Sequence, residues 1–398
     1  MNALLAHPGT QYAPRLASEL HLRGALGRFA TGLTLPEGRI LGRLERLAPA
    51  SWRRRWANRR VPGVPSERLY TFSSIELRAF WRLSRGEPAE TVLHARNAAF
   101  QKAIPNRWME EATHVIGFDT SSWLLAERCT ALNRPFVLDQ SIGHPRTKER
   151  VYRDLRSRFP EWAETIPQKP EQQIACEERE HSAAHLIVTP SSFVRETLTE
   201  HGVPSEKIRV IPFGTDLETF KPSQNAPGPP TVFLYAGALT ARKGVPVLLE
   251  AWRRAALASR AELWLAGPGC VATCAKKPAG VRLLGALSRG ELAGVMRQAH
   301  IFVFPSLFEG LAQVQVEALA TGLPVIGTTS SGAEDVVLDG ETGFVLSAGS
   351  VDQLADYLCQ LAADTTTIRK MRDRCIATRE LRGWNLYGER WFNLLSRM

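Results

Sequence analysis

Two glutamates separated by seven residues mark the part of the chain best suited to chemistry. Residues 302–326 read as an apolar strand ending at Pro305, a loop carrying Glu309 and Gly310, and a helix carrying Glu317. A carboxylate at the loop tip can accept hydrogen bonds from sugar hydroxyls, and free N–H groups at the start of a helix favour phosphate. Together these features predict a nucleotide-sugar site. For either glutamate alone, the alternatives are a helix cap for Glu309 and a solvent-exposed helix face for Glu317.

The loop with Glu309 must be positioned by strands and helices. Apolar runs alternate with helical patterns along both halves of the chain. Strands interleaved with helices predict parallel β-α-β packing. In the first half, strands are predicted at 3–6, 114–118, 135–138 and 185–189, with helices through Leu16 and Leu20, over 122–132 and from Ser191. In the second half, strands are predicted at 231–236, 262–266, 301–304 and 324–327, with helices over 246–257, 289–298 and 313–321.

A linker separates the two halves. Residues 221–230 contain four prolines and a glycine, a composition that supports neither helix nor strand. Two doubly wound α/β domains joined in this way leave a cleft between the carboxyl edges of their sheets, where ligands of such sheets bind. The expected domains are residues 1–213 and 214–380. An apolar stripe of Trp384, Tyr387, Trp391 and Leu395 must be buried on one of them.

Length and composition exclude several classes of protein. A chain of 398 residues suggests two or three domains, and 44% hydrophobic with 23% charged residues excludes collagen, coiled coil and wholesale disorder. No apolar run approaches the roughly 18 residues that a spanning helix needs, and the first residues lack the features of a signal peptide. The six cysteines show no zinc-ligand spacing. A cytoplasmic protein with reduced thiols is expected.

The positive charge is concentrated at one end of the chain. Residues 1–100 hold 16 Lys and Arg against 7 Asp and Glu, so nine of the ten net charges lie there. The densest cluster contains Arg53, Arg54, Arg55, Arg59 and Arg60, interleaved with Trp52 and Trp56. After a predicted basic amphipathic helix near 39–47, this cluster predicts attachment to an anionic membrane surface. A solvated basic face is the equal alternative, and no nucleic acid partner is expected.

Four segments together carry a family resemblance. The Glu-x7-Glu segment within 302–326 resembles the acidic signature of the retaining family-4 glycosyltransferases of the two-Rossmann GT-B fold. Residues 184–193 (AHLIVTPSSF), 207–216 (KIRVIPFGTD) and 235–244 (YAGALTARKG) are similar to the family's Pro-Ser turn, interdomain crossing and first phosphate loop. The resemblance implies an α/β protein of two Rossmann-like domains facing a cleft, with the final helix, in 381–398, crossing back to complete the first domain.

The resemblance also implies roles for individual residues of the second domain. Lys243 would neutralise the donor diphosphate, Glu309 would hold hydroxyls of the transferred sugar, and Glu317 would hold the ribose. The donor site would further include Gly237 and the backbone amides of Gly310, Leu311 and Ala312. Many family members have Gly-Arg-Leu where this chain has Ala238 between Gly237 and Leu239. Arg242 is the candidate replacement for the missing cation.

In the first domain, the resemblance brings a histidine and a glycine loop to the cleft. His144 would contact the donor sugar, with a surface histidine as the alternative, and the loop with Gly9 and Gln11 would face the acceptor. No Asp-x-Asp motif occurs, so no metal is predicted and lysine must stand in for it.

The expected activity is the transfer of a hexose, with retention, from a nucleoside-diphosphate sugar to a glycan, lipid or small-molecule acceptor. UDP is favoured over GDP, no further cofactor is expected, and the location is the cytoplasm or the inner face of the cell membrane. The alternatives are another GT-B enzyme, such as a phosphorylase or epimerase, and an inert lipid- or nucleic-acid-binding scaffold.

Overall fold

Two parallel sheets organise the chain. The computed structural model describes residues 1–34, 60–269 and 277–398. The strands of the first sheet are β1 (Ala3–His7), β2 (Leu26–Thr31), β3 (Leu69–Thr71), β4 (His114–Phe118), β5 (Phe136–Asp139), β6 (Leu186–Thr189) and β7 (Ile208–Val210). Those of the second are β8 (Thr231–Ala236), β9 (Ala261–Ala266), β10 (Val281–Gly285), β11 (Ile301–Phe304), β12 (Val325–Thr328) and β13 (Gly343–Leu346). The first sheet has the strand order β3-β2-β1-β4-β5-β6-β7, and the second has the order β10-β9-β8-β11-β12-β13.

Helices flank both sheets. Those preceding the linker are α1 (Ala13–Leu22), α2 (Ser73–Ser84), α3 (Ala89–Ala103), α4 (Asn106–Glu111), α5 (Trp123–Ala131), α6 (Pro145–Arg158), α7 (Glu171–Ala183) and α8 (Ser192–Glu200). Those following it are α9 (Val245–Ala255), α10 (Arg289–Met296), α11 (Gln313–Ala320), α12 (Val351–Ala363), α13 (Thr365–Ala377) and α14 (Trp384–Ser396). The predicted α/β class with two Rossmann-like sheets is confirmed.

The central strands are apolar because helices cover them on both sides. Every residue of β4, β8 and β11 is buried, which is the pattern of parallel strands packed on both faces. The sequence predicted these three strands with the bounds that the structure has. Residues 221–230 contain neither helix nor strand, in agreement with their proline content.

The last helix returns to the first sheet. Trp384, Tyr387, Trp391 and Leu395 of α14 are buried in one hydrophobic cluster with residues of β1 and α1. At the crossing point the amide of Thr215 donates to the carbonyl oxygen of Arg382 (2.7 Å). The predicted crossing helix is therefore confirmed, and two chain segments connect the halves.

The predicted basic cluster lies almost wholly outside the described residues. Arg53, Arg54, Arg55 and Arg59 belong to the undescribed part, and Arg60 is the first residue after it. Within the described ranges, every helix is too short or too polar to span a bilayer.

Candidate functional site

The carboxyl edge of the second sheet borders a cavity of about 390 Å³. The loops after β8, β9 and β10 form one side, through Gly237, Gly267 and Leu287 among others. The loop after β11 and the start of α11 form the other side, with Glu309, Leu311, Ala312, Gln313, Val314 and Glu317. This position at the carboxyl ends of parallel strands is where α/β sheets bind ligands.

Lys243 reaches the cavity because the loop after β8 is hydrogen-bonded to the loop after β11. The amide of Leu307 donates to the carbonyl oxygen of Arg242 (2.8 Å), and the Arg242 guanidinium donates to the carbonyl oxygen of Phe308 (2.8 Å). A side chain at Gly244 would overlap with the carbonyl group of Pro305, so only glycine permits this approach. The phosphate-loop candidate and the Glu309 loop are thus one unit.

Glu309 is held between two cations. Its Oε2 accepts a hydrogen bond from Arg242 Nη1 (2.9 Å) and also pairs with Lys243 Nζ. Lys243 lies in addition over the ring of Phe304, 5.2 Å from its centroid. Both neighbouring side chains, Arg242 and Lys243, therefore turn toward the same carboxylate.

Burial and charge oppose each other in this cluster. Burial alone would raise the pKa of Glu309, but Lys243 and Arg242 outweigh it and the pKa lies below its ordinary value. Burial also lowers the pKa of Lys243, with Glu309 acting against that shift. The cluster carries one net positive charge with Glu309 ionised, which suits the approach of an anion.

Glu317 occupies the same cavity from α11. It is 7% exposed and accepts a hydrogen bond from Arg289 Nη2 (2.9 Å). Burial raises the pKa of Glu317 to about 7, although Arg289 acts in the opposite direction. A carboxylate in this position can accept hydrogen bonds from a ligand's hydroxyl groups, and it titrates near neutral pH.

The N-terminus of α11 opens toward the cavity. The preceding residue is Ala312, whose side chain has no acceptor to cap the first amides, and Gln313 and Val314 line the cavity. Uncapped amides and the helix dipole make this end a favourable place for a phosphate.

The backbone amides of Gly310, Leu311 and Ala312 were predicted to face the donor. Two of these residues line the cavity and one does not. Leu311 and Ala312 line the cavity, although the amide of Ala312 donates to the carbonyl oxygen of Ser331 (3.3 Å). Gly310 packs on the other side of the loop, where a side chain would overlap with the carbonyl oxygen of Ser141. Its carbonyl oxygen accepts a hydrogen bond from Ser191 Oγ (2.6 Å). Gly310 is thus a contact between the two halves of the molecule.

His144 does not line this cavity. It is the N-cap residue of α6, where its Nδ1 accepts a hydrogen bond from the amide of Arg146 (3.2 Å), and it is only 2% exposed. Its ring stacks on His201 (4.0 Å between centroids) and lies 5.1 Å from His181. Burial, with His201 beside it, lowers the pKa of His144 to about 4. These three histidines line a separate cavity of about 280 Å³.

The glycine loop of the first sheet also remains apart from the cavity. Gly9 lies against the His7 ring, and Gln11 is exposed to solvent. Tyr12 of the same loop donates a hydrogen bond to Asp139 Oδ1 (2.9 Å). The structure therefore brings Gly237, Lys243, Glu309 and Glu317 to one cavity, with Arg242 paired to Glu309 beside it. The predicted residues that do not line this cavity are Gly310, His144, Gly9 and Gln11.

Sequence reasoning missed Arg289. Its side chain pairs with Glu317 and lies over the ring of Phe220, 5.2 Å from the centroid. The only sequence signal is its place at the start of a predicted helix. Among the described residues, no group of three or more His, Cys, Asp or Glu is arranged to hold a metal ion.

Two family models match the chain in the region of this site. Residues 230–364 match "Glycosyl transferases group 1", and residues 145–219 match "Glycosyltransferase Family 4". Together the two matches take in just over half of the chain. The chain belongs to the family-4 glycosyltransferases with the GT-B fold.

Curated relatives agree with this family at low identity. The chain is 27% identical over 248 residues to MMP alpha-(1->4)-mannosyltransferase of Mycolicibacterium hassiacum, covering 60% of this chain and 59% of that protein. It is 26% identical over 247 residues to D-inositol 3-phosphate glycosyltransferase of Kribbella flavida, covering 56% and 58%. The matched region thus spans about three fifths of each relative.

Solved structures share the whole fold. The complex of Anabaena Alr3699/HepE with UDP-glucose superimposes with a TM-score of 0.65 at 15% identity, covering 100% of both chains. WaaG, a glycosyltransferase involved in lipopolysaccharide biosynthesis, gives a TM-score of 0.63 at 17% identity, covering 99% of both chains. At these identities the likeness establishes the fold.

Proposed function

We propose that the chain transfers a hexose from a nucleoside-diphosphate sugar to a hydroxyl group of a glycan, lipid or small-molecule acceptor. The observation that carries this proposal is the meeting of Lys243, Glu309 and the uncapped start of α11 at one cavity, with Arg242 paired to Glu309 beside it. A UDP-sugar is favoured over a GDP-sugar. Structural neighbours crystallised with UDP and UDP-glucose support that preference.

Each part of the cavity has a role in this proposal. Lys243 and the first amides of α11 hold the diphosphate, whose negative charge increases as the glycosidic bond breaks. Arg242 supplies the second positive charge that Ala238 lacks. Glu309, oriented by both cations, accepts hydrogen bonds from hydroxyls of the transferred sugar. Glu317, positioned by Arg289, accepts hydrogen bonds from the ribose.

The transfer is proposed to retain the anomeric configuration. The bond between the sugar C1 and the phosphate oxygen breaks, a bond from C1 to the acceptor oxygen forms on the same face, and the acceptor proton passes to the leaving phosphate. Lys243 stabilises that phosphate as it accepts the proton. This scheme assigns no step to His144, consistent with its separate cavity.

Donor binding and acceptor binding are assigned to different domains in this proposal. Residues 1–213, completed by 381–398, are proposed to bind the acceptor, and residues 214–380 to bind the donor. Action in the cytoplasm, at an anionic membrane surface bound through the cluster from Arg53 to Arg60, remains a prediction.

Ligand binding and product analysis test the proposal. UDP-, GDP- and ADP-sugars are compared for thermal stabilisation, since a ligand at 100 times its Kd adds about 2.7 kcal/mol of stability. We expect UDP-sugars to stabilise the chain most. Proton NMR of the product then gives the anomeric configuration. Turnover that needs free phosphate, or no acceptor, would indicate a phosphorylase or an epimerase instead. Absence of stabilisation by all three nucleotide sugars would contradict the proposal.

A further inference from the structure

A third cavity, of about 170 Å³, opens at the carboxyl edge of the first sheet. One wall is a face of α3, with Glu90, His94 and Asn97 at helical spacing. The opposite wall is formed by Lys169 and by Gln173 and Glu177 of α7. Thr120, in the turn after β4, and Trp123, at the start of α5, complete the lining. No role has been assigned above to any of these residues.

Part of the cavity lining is aromatic, and part is held by hydrogen bonds. The rings of His94 and Trp123 stack with parallel planes, 4.8 Å between centroids. Thr120 has a φ of +67°, a strained conformation for a β-branched residue. Hydrogen bonds hold it there, because its carbonyl oxygen accepts from Asn97 Nδ2 (2.8 Å) and its amide donates to Glu180 Oε2 (2.9 Å). Strain maintained by buried polar groups is a feature of binding sites.

The charges around the cavity disfavour an anion. Lys169 is paired with Glu177, and Glu90 adds a further carboxylate. Burial, with Lys169 nearby, lowers the pKa of His94, which disfavours a positive charge on its imidazole. With one ammonium against two carboxylates, the lining is net negative and repels phosphate. Mixed donors and acceptors beside an aromatic wall instead match the hydroxyls and the C–H face of a neutral sugar.

A short series of contacts joins the surroundings of this cavity to those of the donor cavity. Asp119, next to Thr120, accepts a hydrogen bond from Ser141 Oγ (2.9 Å). The carbonyl group of Ser141 packs directly against Gly310, the neighbour of Glu309. Thr120 lines this cavity and Glu309 lines the donor cavity, so the two linings are linked through three intervening residues.

We propose that this cavity is the acceptor subsite and that it takes an uncharged sugar or polyol rather than a phosphorylated one. The proposal rests on the glycosyltransferase function proposed above. It departs from the phosphorylated acceptor named for the D-inositol 3-phosphate glycosyltransferases among the relatives. Gln173 and His94 are the specificity-determining residues, since both line the cavity and are partly exposed.

The test measures UDP release from UDP-glucose in the presence of defined acceptor probes. Myo-inositol and octyl glucoside are the neutral probes, and inositol 1-phosphate and glucose 6-phosphate are the phosphorylated ones. We expect the neutral probes to accelerate UDP release and the phosphorylated ones to leave it at the background rate. In Gln173→Ala and His94→Ala, the KM for a neutral probe should rise about tenfold or more, corresponding to about 1.4 kcal/mol.

Gln172→Ala is the matched control, because Gln172 is the exposed neighbour on the same helix. All three variants should keep the wild-type Kd for UDP. If the wild-type chain neither binds nor consumes a nucleotide sugar, the proposed function fails. If it binds UDP but the phosphorylated probes accelerate release more than the neutral ones, the neutral-acceptor assignment fails. The neutral-acceptor assignment also fails if no probe accelerates UDP release. It fails as well if Gln173→Ala and His94→Ala both keep the wild-type KM for the neutral probe.

Discussion

At the scale of single residues, the two glutamates of the donor cavity have different surroundings, so substitutions of them should have different kinetic effects. Glu309 is paired with two cations beside the expected sugar, whereas Glu317 pairs with the single, half-exposed cation Arg289. Glu309→Gln should therefore mainly lower kcat, and Glu317→Gln should mainly raise the KM for the donor. Steady-state kinetics with varied nucleotide sugar measure both. Near-normal kinetics in both variants would remove the proposed site.

The raised pKa of Glu317 predicts a pH dependence of donor binding. Its pKa is about 7 in the free chain, and ribose hydroxyls donate better hydrogen bonds to the ionised carboxylate. Binding should tighten as the pH rises from 6 to 8, by about 1 kcal/mol or roughly fivefold in Kd. UDP-glucose is the suitable ligand, because its diphosphate does not titrate in this range. Glu317→Gln should give a flat profile, and a wild-type profile equally flat would refute the role of Glu317.

Residue types and spacing predicted one part of the candidate site and missed another. Lys243 and Glu309 were predicted because short loops at strand ends carry them, and strand ends are visible in the sequence. Arg289 was missed because its contact with Glu317 joins elements far apart in the chain. His144 was predicted at a loop tip, but this loop folds back onto α8, where the amide of His144 donates to Thr197 Oγ1 (2.9 Å).

At the scale of elements, the loop between β11 and α11 joins the two halves of the molecule. A methyl group at Gly310 would overlap with the carbonyl oxygen of Ser141. Gly310→Ala must therefore move the loop between β11 and α11 away from Ser141, which follows strand β5 of the first sheet. We expect a loss of about 1–3 kcal/mol in the free energy of unfolding and a lower kcat, with the Kd for UDP nearly unchanged. Urea unfolding and UDP titration measure these effects.

Gly290→Ala is the control for that substitution, because a Cβ at Gly290 meets open space. It should preserve both stability and activity. Wild-type stability and kcat in Gly310→Ala would show that this contact is not needed for catalysis.

Elements with continuous apolar runs were predictable, and elements with polar buried faces were not. The strand Thr231–Ala236 is an unbroken apolar run and was found with its true bounds. Helix α7 escaped prediction because its buried face carries Glu177, Glu180 and His181, so it lacks an apolar stripe. Strand β2 contains Gly27 and Arg28, which interrupt its apolar run, so the sequence does not show a strand pattern there.

At the scale of the whole molecule, the stability of the first sheet should depend on the last helix. Trp391 is fully buried against the first sheet's cluster, whereas Asn393 of the same helix is exposed. Trp391→Ala should cost about 3–5 kcal/mol, and Asn393→Ala should stay within about 0.5 kcal/mol of wild type. Deleting residues 381–398 should likewise lower hydrogen-exchange protection across residues 1–210. Unchanged protection there would contradict the role of the crossing helix.

The central claim is that the second sheet's cavity binds the diphosphate of a nucleotide sugar, and titration of UDP-glucose into a Lys243→Gln variant tests it most directly. Losing one charge-assisted hydrogen bond to phosphate should cost about 1.5–3 kcal/mol, or roughly 10- to 100-fold in Kd. Lys370→Gln removes an exposed lysine on α13 and should bind like wild type. Calorimetry gives all three dissociation constants. Weakened binding in Lys243→Gln alone is the predicted result, and equal binding by all three chains would contradict the account.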